Sequence, residues 1–187
     1  MTKSECEGLK ITTISTKSEL DEFEQKNIEQ AVQWTIGRKI KSDNLLSEHF
    51  IKSIHKRMYG EVWSWAGAFR KSEKNIGIER WKIPTELRVL LDDATFWIEN
   101  KSYSEDEIAI RFKHRIVSIH CFSNGNGRQS RFMADLIAEN IFKREIFTWG
   151  QSNSNLSDES DERSKYLLAL KKADRGDFND LICFARS

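Results

Sequence analysis

The chain has 187 residues, 39% of them hydrophobic and 32% charged, with a formal net charge of +1 at pH 7. This length and composition fit one ordinary soluble domain that buries roughly 70% of its unfolded surface, and they exclude a largely disordered chain. So even a charge balance gives no electrostatic case for direct binding of nucleic acid or an anionic membrane. No apolar run is long enough to span a bilayer, and the opening residues Met1 to Gly8 lack the apolar core of a secretion signal. Cys6, Cys121 and Cys183 are odd in number and far apart, which fits a reducing cytoplasm better than a disulfide framework.

With one proline (Pro84) and nine glycines, the chain reads as mostly helical. Residues 1–17 read as an N-terminal arm. Ser18 or Asp21 is expected to cap a first helix, with Phe23, Ile28, Val32 and Ile36 on its buried face and its end near Gly37. Ser47 caps a second, whose inner face holds Phe50, Ile51, Ile54 and Met58. The segment Phe69 to Ile78 reads as a short hairpin or an exposed extended loop. Leu87, Leu90, Leu91, Ala94, Trp97 and Ile98 form the clearest helical stripe. Ser104 and Glu107 have capping-box spacing and open a helix that buries Ile108, Phe112, Ile116 and Ile119. A helix after Gly127 buries Phe132, Met133, Leu136, Ile137 and Ile141. Gln151 to Asp161 reads as a surface loop. Tyr166, Leu167, Leu170 and Ala173 mark a further helix, and Leu181 with Phe184 a short last one. The six tryptophans read as core. With no internal repeat or linker, residues 1–187 are expected to form one domain.

The stretch from His120 to Arg131, His-Cys-Phe-Ser-Asn-Gly-Asn-Gly-Arg-Gln-Ser-Arg, carries the chemistry. An imidazole accepts a proton near neutral pH. Amides of a glycine-rich turn at a helix start cradle anionic oxygens, and arginine forks match phosphate geometry. A base, an anion cradle and two arginines in one turn suggest transfer chemistry on a phosphorylated substrate. Cys121 adjoins the histidine, but neighbouring residues on a loop point apart, so a Cys–His catalytic pair is not expected.

This stretch resembles the signature of the Fic (Fido) family, His-x-Phe-x-(Asp/Glu)-Gly-Asn-Gly-Arg-x-x-Arg. His120, Phe122, Gly125, Asn126, Gly127, Arg128 and Arg131 fall in register. The resemblance runs through Glu61 to Gly67, the segment Arg70 to Ile78 and the stretch Arg163 to Leu181, and within the family it is greatest to the branch called mobile mystery protein B. It implies an all-α Fic-type helical bundle with a small β-hairpin flap beside the active-site loop. It also implies a protein adenylyltransferase that moves AMP from ATP to a Ser, Thr or Tyr hydroxyl of a target protein. His120 would be the base; Gly125, Asn126 and Gly127 the anion cradle; Arg128 and Arg131 the ligands of the distal phosphates; Phe122 a buried anchor. Lys74, Asn75, Ile76, Gly77 and Ile78 would dock the target backbone by strand addition. Glycine at 127 favours AMP transfer over the phosphate transfer of the Doc-like branch, which carries lysine there.

Asn124 departs from the signature. The acidic residue at this position ligates Mg²⁺ in active relatives, and an amide oxygen lacks the charge this hard cation favours. A second reading follows, a weak or inactive nucleotide- or target-binding module. The branch name adds a third, a toxin-like component of a mobile element with a small regulatory or DNA-binding partner protein. The family's inhibitory Ser/Thr-x-x-x-Glu-Gly/Asn helix has no clean copy here. Glu22 and Glu24 on the first helix are the candidates to obstruct the γ-phosphate site, and the acidic run Ser154 to Glu162 is off-pattern.

Overall fold

A computed structural model describes residues 7–150 and 159–187, the side chains of residues 159–163 excepted. The surface loop expected over Gln151 to Asp161 and the acidic run to Glu162 thus fall outside the described residues, apart from the backbone of the helix that begins at Glu159. Among the described residues eight α-helices follow one another: α1 (Lys17–Thr35), α2 (Ser42–Leu45), α3 (Glu48–Tyr59), α4 (Ile83–Glu99), α5 (Glu105–Ile119), α6 (Asn126–Asn140), α7 (Glu159–Ala173) and α8 (Asn179–Arg186). Helices hold 61% of the described residues and no strand occurs among them, so the class is all-α. No described helix is long and apolar enough to cross a membrane.

The helical stripes become the core. α5 packs on α6 and α4, and the resulting interior holds Leu87, Leu90, Phe112, Ile116, Met133 and Ile137, with Phe50, Ile51 and Ile54 of α3. A smaller cluster between α1 and α3 holds Ala31, Met58, Tyr59, Val62 and Trp63. The terminal helix α8 is tied to α5 by Arg186, whose guanidinium lies 2.5 Å from Asp106. Trp63 is buried, Trp34, Trp65, Trp97 and Trp149 are partly buried against the core clusters, and Trp81 is 65% exposed, so the reading of all six as core is corrected at Trp81. Trp34 packs against the main core, and the guanidiniums of Arg38 and Arg57 lie over its ring.

Three local expectations also change. α1 is capped by Thr16, whose side chain accepts from Glu19 N–H while the Glu19 carboxylate takes the Thr16 amide. The capping box therefore lies two residues before Ser18. The buried face of α1 holds Glu24, Asn27, Ala31 and Thr35, while Phe23 and Ile36 are exposed. That face turns inward because it meets polar groups of other segments: Asn27 bonds the Arg57 carbonyl and the Glu61 amide. The hairpin expected within residues 69–78 is absent. The segment is an irregular loop, because the carbonyls that a hairpin would pair across its strands go to a side chain: Ser72 and Ile78 both accept from Arg70. The β-type pairing present is an isolated antiparallel bridge, Leu9 to Trp63, which lays residues 8–10 along the chain after α3.

Removing the Thr16 hydroxyl leaves a helix-start amide unpaired, so Thr16→Ala is expected to lower unfolding stability by about 1 kcal/mol. Ser18→Ala, inside the first turn, is expected to leave it unchanged. Urea unfolding of the two variants checks the assignment, and equal losses would contradict it.

Candidate active site

The turn between α5 and α6 is built by two residues with left-handed backbone. His120 ends α5 at φ 57°, and Gly125 opens α6 at φ 78°. Gly125 is sterically required: a Cβ there would lie 2.4 Å from the ring of the fully buried Tyr59. Asn126 clips the turn shut. Its side chain accepts from Phe122 N at 2.9 Å and donates to Phe122 O at 2.8 Å. Phe122 is wholly buried and stacks on His55 with ring centres 3.8 Å apart.

His55 completes the support. Its Nδ1 accepts from Gly67 N–H at 3.0 Å, so its Nε2 carries the proton and donates to the Asn124 carbonyl at 3.0 Å. Burial pushes its pKa down to about 4, with the Arg128 charge in the same direction. The ring is therefore neutral near pH 7. A histidine one turn before Tyr59, on an otherwise apolar helical face, was the signal in the sequence for this role, and the sequence reading passed over it.

His120 is half-buried. Nδ1 faces inward without a hydrogen-bond partner, and Nε2, neither bonded nor buried, stays accessible. Burial first, then the Arg70 and Lys74 charges, hold its pKa below the ordinary histidine value. The loop of residues 72–78 lies over it: Gly77, at φ 97°, comes so close that a Cβ would sit 2.5 Å from His120 Cβ. The neighbouring Cys121 thiol is pushed up to about 12 by burial, which leaves it no nucleophilic role.

An open cleft of about 1160 Å³ runs beside this turn. α1 contributes Asp21 and Glu24, the segment after α3 contributes Trp63, Trp65 and Phe69, the loop contributes Lys71 and Lys74, and the turn contributes Ser123, Asn124 and Arg128. His120 is at its edge under Gly77 rather than among its lining residues. Among the described residues, no protein acceptor takes the amides of Asn126, Gly127 and Arg128 at the start of α6. Gly127 is exposed, and a Cβ there would meet nothing within 4 Å, so the space over these amides is open. An open helix N-terminus of this kind attracts anionic oxygens.

The structure separates the two arginines. Arg128 faces the cleft, where its guanidinium lies 2.6 Å from the Glu24 carboxylate, 104 residues away in sequence. Glu24 also accepts from Trp63 Nε1 at 2.6 Å and is itself buried, whereas Glu22 is exposed. Arg131 turns to the other side of α6, over the rings of Tyr166 and Trp149 at 5.1 and 5.7 Å. Asp135, one turn later, bonds Phe147 N and Trp149 Nε1 instead of Arg131.

The donor set does not fit Mg²⁺. The Asn124 side-chain oxygen accepts from Gly125 N at 2.7 Å, and the adjoining carboxylate, Glu24, is already engaged by Arg128 and Trp63. Among the described residues no three His, Cys, Asp or Glu side chains converge on one point.

The profile of the family described as Fic/DOC matches residues 45–138, just over half of the chain. The protein adenylyltransferase Fic of Aedes aegypti is 24% identical over 161 residues, 84% of this chain and 30% of that protein. Its counterpart in Drosophila willistoni is 27% identical over 139 residues, 72% of this chain and 26% of that protein. The chain thus spans under a third of the length of these relatives. Among solved structures, Fic-1 (residues 134–508) from C. elegans aligns with a TM-score of 0.70 at 19% identity, covering 96% of this chain and 51% of that one. BepC, a VirB-translocated Bartonella effector from Bartonella tribocorum solved with bound AMPPNP, aligns at 0.65 and 17% identity, covering 97% and 95%. The profile match spans α3 to α6 and the turn between its last two helices, and on that ground the chain belongs to the Fic/DOC family.

Proposed function

We propose that the protein transfers AMP from ATP to a hydroxyl-bearing side chain of a target protein. The observation that carries the reading is the turn itself. An accessible imidazole nitrogen on His120 stands at one end, and three unclaimed amides with the Arg128 guanidinium at the other. His120 accepts the proton of the target Ser, Thr or Tyr hydroxyl as that oxygen attacks the α-phosphorus. The bond to the bridging oxygen breaks, pyrophosphate leaves, and AMP stays esterified to the target. The amides of Asn126, Gly127 and Arg128 with the Arg128 guanidinium hold phosphate oxygens, Gly125 shapes the turn with its own amide bonded to Asn124, and the loop of Lys74 to Ile78 receives the target chain. Arg131 reaches the distal phosphates only by leaving its place over Tyr166 and Trp149. The mobile mystery protein B branch and a small regulatory partner belong to this reading as well, on the resemblance of the 70–78 segment and the turn.

Asn124 favours a second reading, nucleotide binding with little transfer, because no carboxylate replaces the missing acidic residue. Incubation with α-labelled ATP separates the two. His120→Ala is expected to lower labelling by about 10²-fold or more, and Asn124→Asp to raise it. No label in any variant, with nucleotide still bound, would leave the binding module standing.

Glu24 occupies the guanidinium that a phosphate needs, so the ground state is damped. Glu24→Gln is expected to tighten ATP binding and raise labelling about tenfold, while Glu22→Gln, at an exposed position, changes neither. Equal effects, or none, would remove Glu24 from this role.

The pH profile follows from the sign of the His120 shift. The base works when neutral, and its pKa lies below the ordinary 6.5, so activity should persist on acidification past pH 6.5 before falling. An acid limb of kcat/KM at or above pH 6.5 would contradict the burial of His120.

A further inference from the structure

Arg70 is 3% exposed, yet its guanidinium meets one carboxylate, the half-exposed Glu73 at 3.4 Å. A buried cation needs partners for its donors. Arg70 finds them in three backbone carbonyls. Nε donates to His120 O at 2.7 Å, one terminal nitrogen donates to Ser72 O at 3.0 Å, and the other donates to Ile78 O. Its own amide donates to Cys121 O at 2.9 Å. The three carbonyls belong to two separate segments, the loop that starts after Arg70 and the turn that ends α5.

We infer that Arg70 is the positioning residue that registers the loop of residues 72–78 against His120, holding the loop at both ends and the base at its carbonyl. Gly77 supplies the second contact between the same parts. A Cβ at that position would lie 2.5 Å from His120 Cβ and 3.1 Å from an Arg70 terminal nitrogen, so the loop tip rests directly on the base and its anchor. His120 sits in left-handed backbone, which L-residues adopt at a cost, and the carbonyl bond to Arg70 helps hold it there. Only a planar fork with five donors spans carbonyls on both sides of this junction; a lysine ammonium is a single point at the end of its stem. The inference rests on the adenylyltransferase reading only in giving the loop a target and His120 a proton. In that setting Arg70 sets the angle at which a docked hydroxyl meets the imidazole, and ATP binding does not depend on it.

The test uses the full chain with Arg70→Lys and, separately, Gly77→Ala, which keeps the guanidinium but wedges the loop tip off His120. Backbone relaxation of residues 72–78 and the imidazole resonances of His120 are read by NMR without nucleotide. Labelling rate and ATP affinity are then measured on the same samples. Arg70→Lys is expected to loosen the loop and shift the His120 resonances together. Labelling should fall at least about tenfold, with ATP affinity held within about twofold. Gly77→Ala should show the same paired change, which keeps the test informative if Arg70→Lys does not fold. A loop that loosens while His120 stays at its wild-type shifts, or a folded Arg70→Lys with a wild-type loop, overturns the coupling. Wild-type protein that never labels would defeat the transferase reading instead, because the two NMR readouts need no turnover.

Discussion

The neutral state of His55 is the constraint on which the site rests. One ring nitrogen takes the Gly67 amide, the other donates to the Asn124 carbonyl, and the ring face stacks on Phe122. A proton on Nδ1 would abolish the bond from Gly67 and place an unpaired charge in the interior. Burial prevents this by pushing the pKa down to about 4. The same burial that makes the core apolar thus fixes the tautomer that shapes the turn. Tyr59, one helical turn on, supports Gly125 from below, so α3 acts as the floor of the site while α5 and α6 form its walls.

Above that floor the charges are arranged in opposition. The cleft carries Lys71, Lys74 and Arg128 together with Asp21 and Glu24. Arg128 and Glu24 neutralise one another at 2.6 Å, which keeps an otherwise anion-seeking helix start quiet. Under the proposed function, a triphosphate entering the cleft would exchange one carboxylate for several phosphate oxygens around the same guanidinium. That exchange strands the buried Glu24 carboxylate, 3% exposed, while Arg128, 42% exposed, stays partly hydrated. Asn124 places an uncharged amide where the family signature carries an acidic residue. What this cleft offers an anion is free amides and the Arg128 guanidinium.

Much of the site was legible in the linear sequence because the residues that form it are contiguous. His120 to Arg131 fixes the turn, and the apolar stripes on either side fix the helices that present it. Periodicity failed where a buried face is polar. α1 was read from Phe23, Ile28, Val32 and Ile36, but the face that turns inward carries Glu24 and Asn27, since these side chains have partners elsewhere in the fold. Pattern alone counts apolar residues and is blind to a polar side chain whose desolvation is compensated by a distant group. At residues 69–78 the exposed loop holds and the hairpin does not, for a related reason. Its Asn and Gly residues mark a turn, but whether flanking residues pair as strands depends on where their carbonyls go, and here Arg70 takes them.

The sequence by itself determined the all-α class, the placing of His120 to Gly127 at one helix junction, and the chemical inventory of imidazole, amides and arginines. Local spacing suffices for these, because 3.6-residue periodicity and a glycine-rich turn act over a few residues. Only the tertiary structure decided which arginine faces the cleft, that Glu24 rather than Glu22 meets it, that His55 is neutral beneath Asn124, and that Arg70 ties the loop to His120. Each of these is a contact between segments distant along the chain. Their energies depend on burial and on the partner's exact direction, quantities that exist only once the helices have packed.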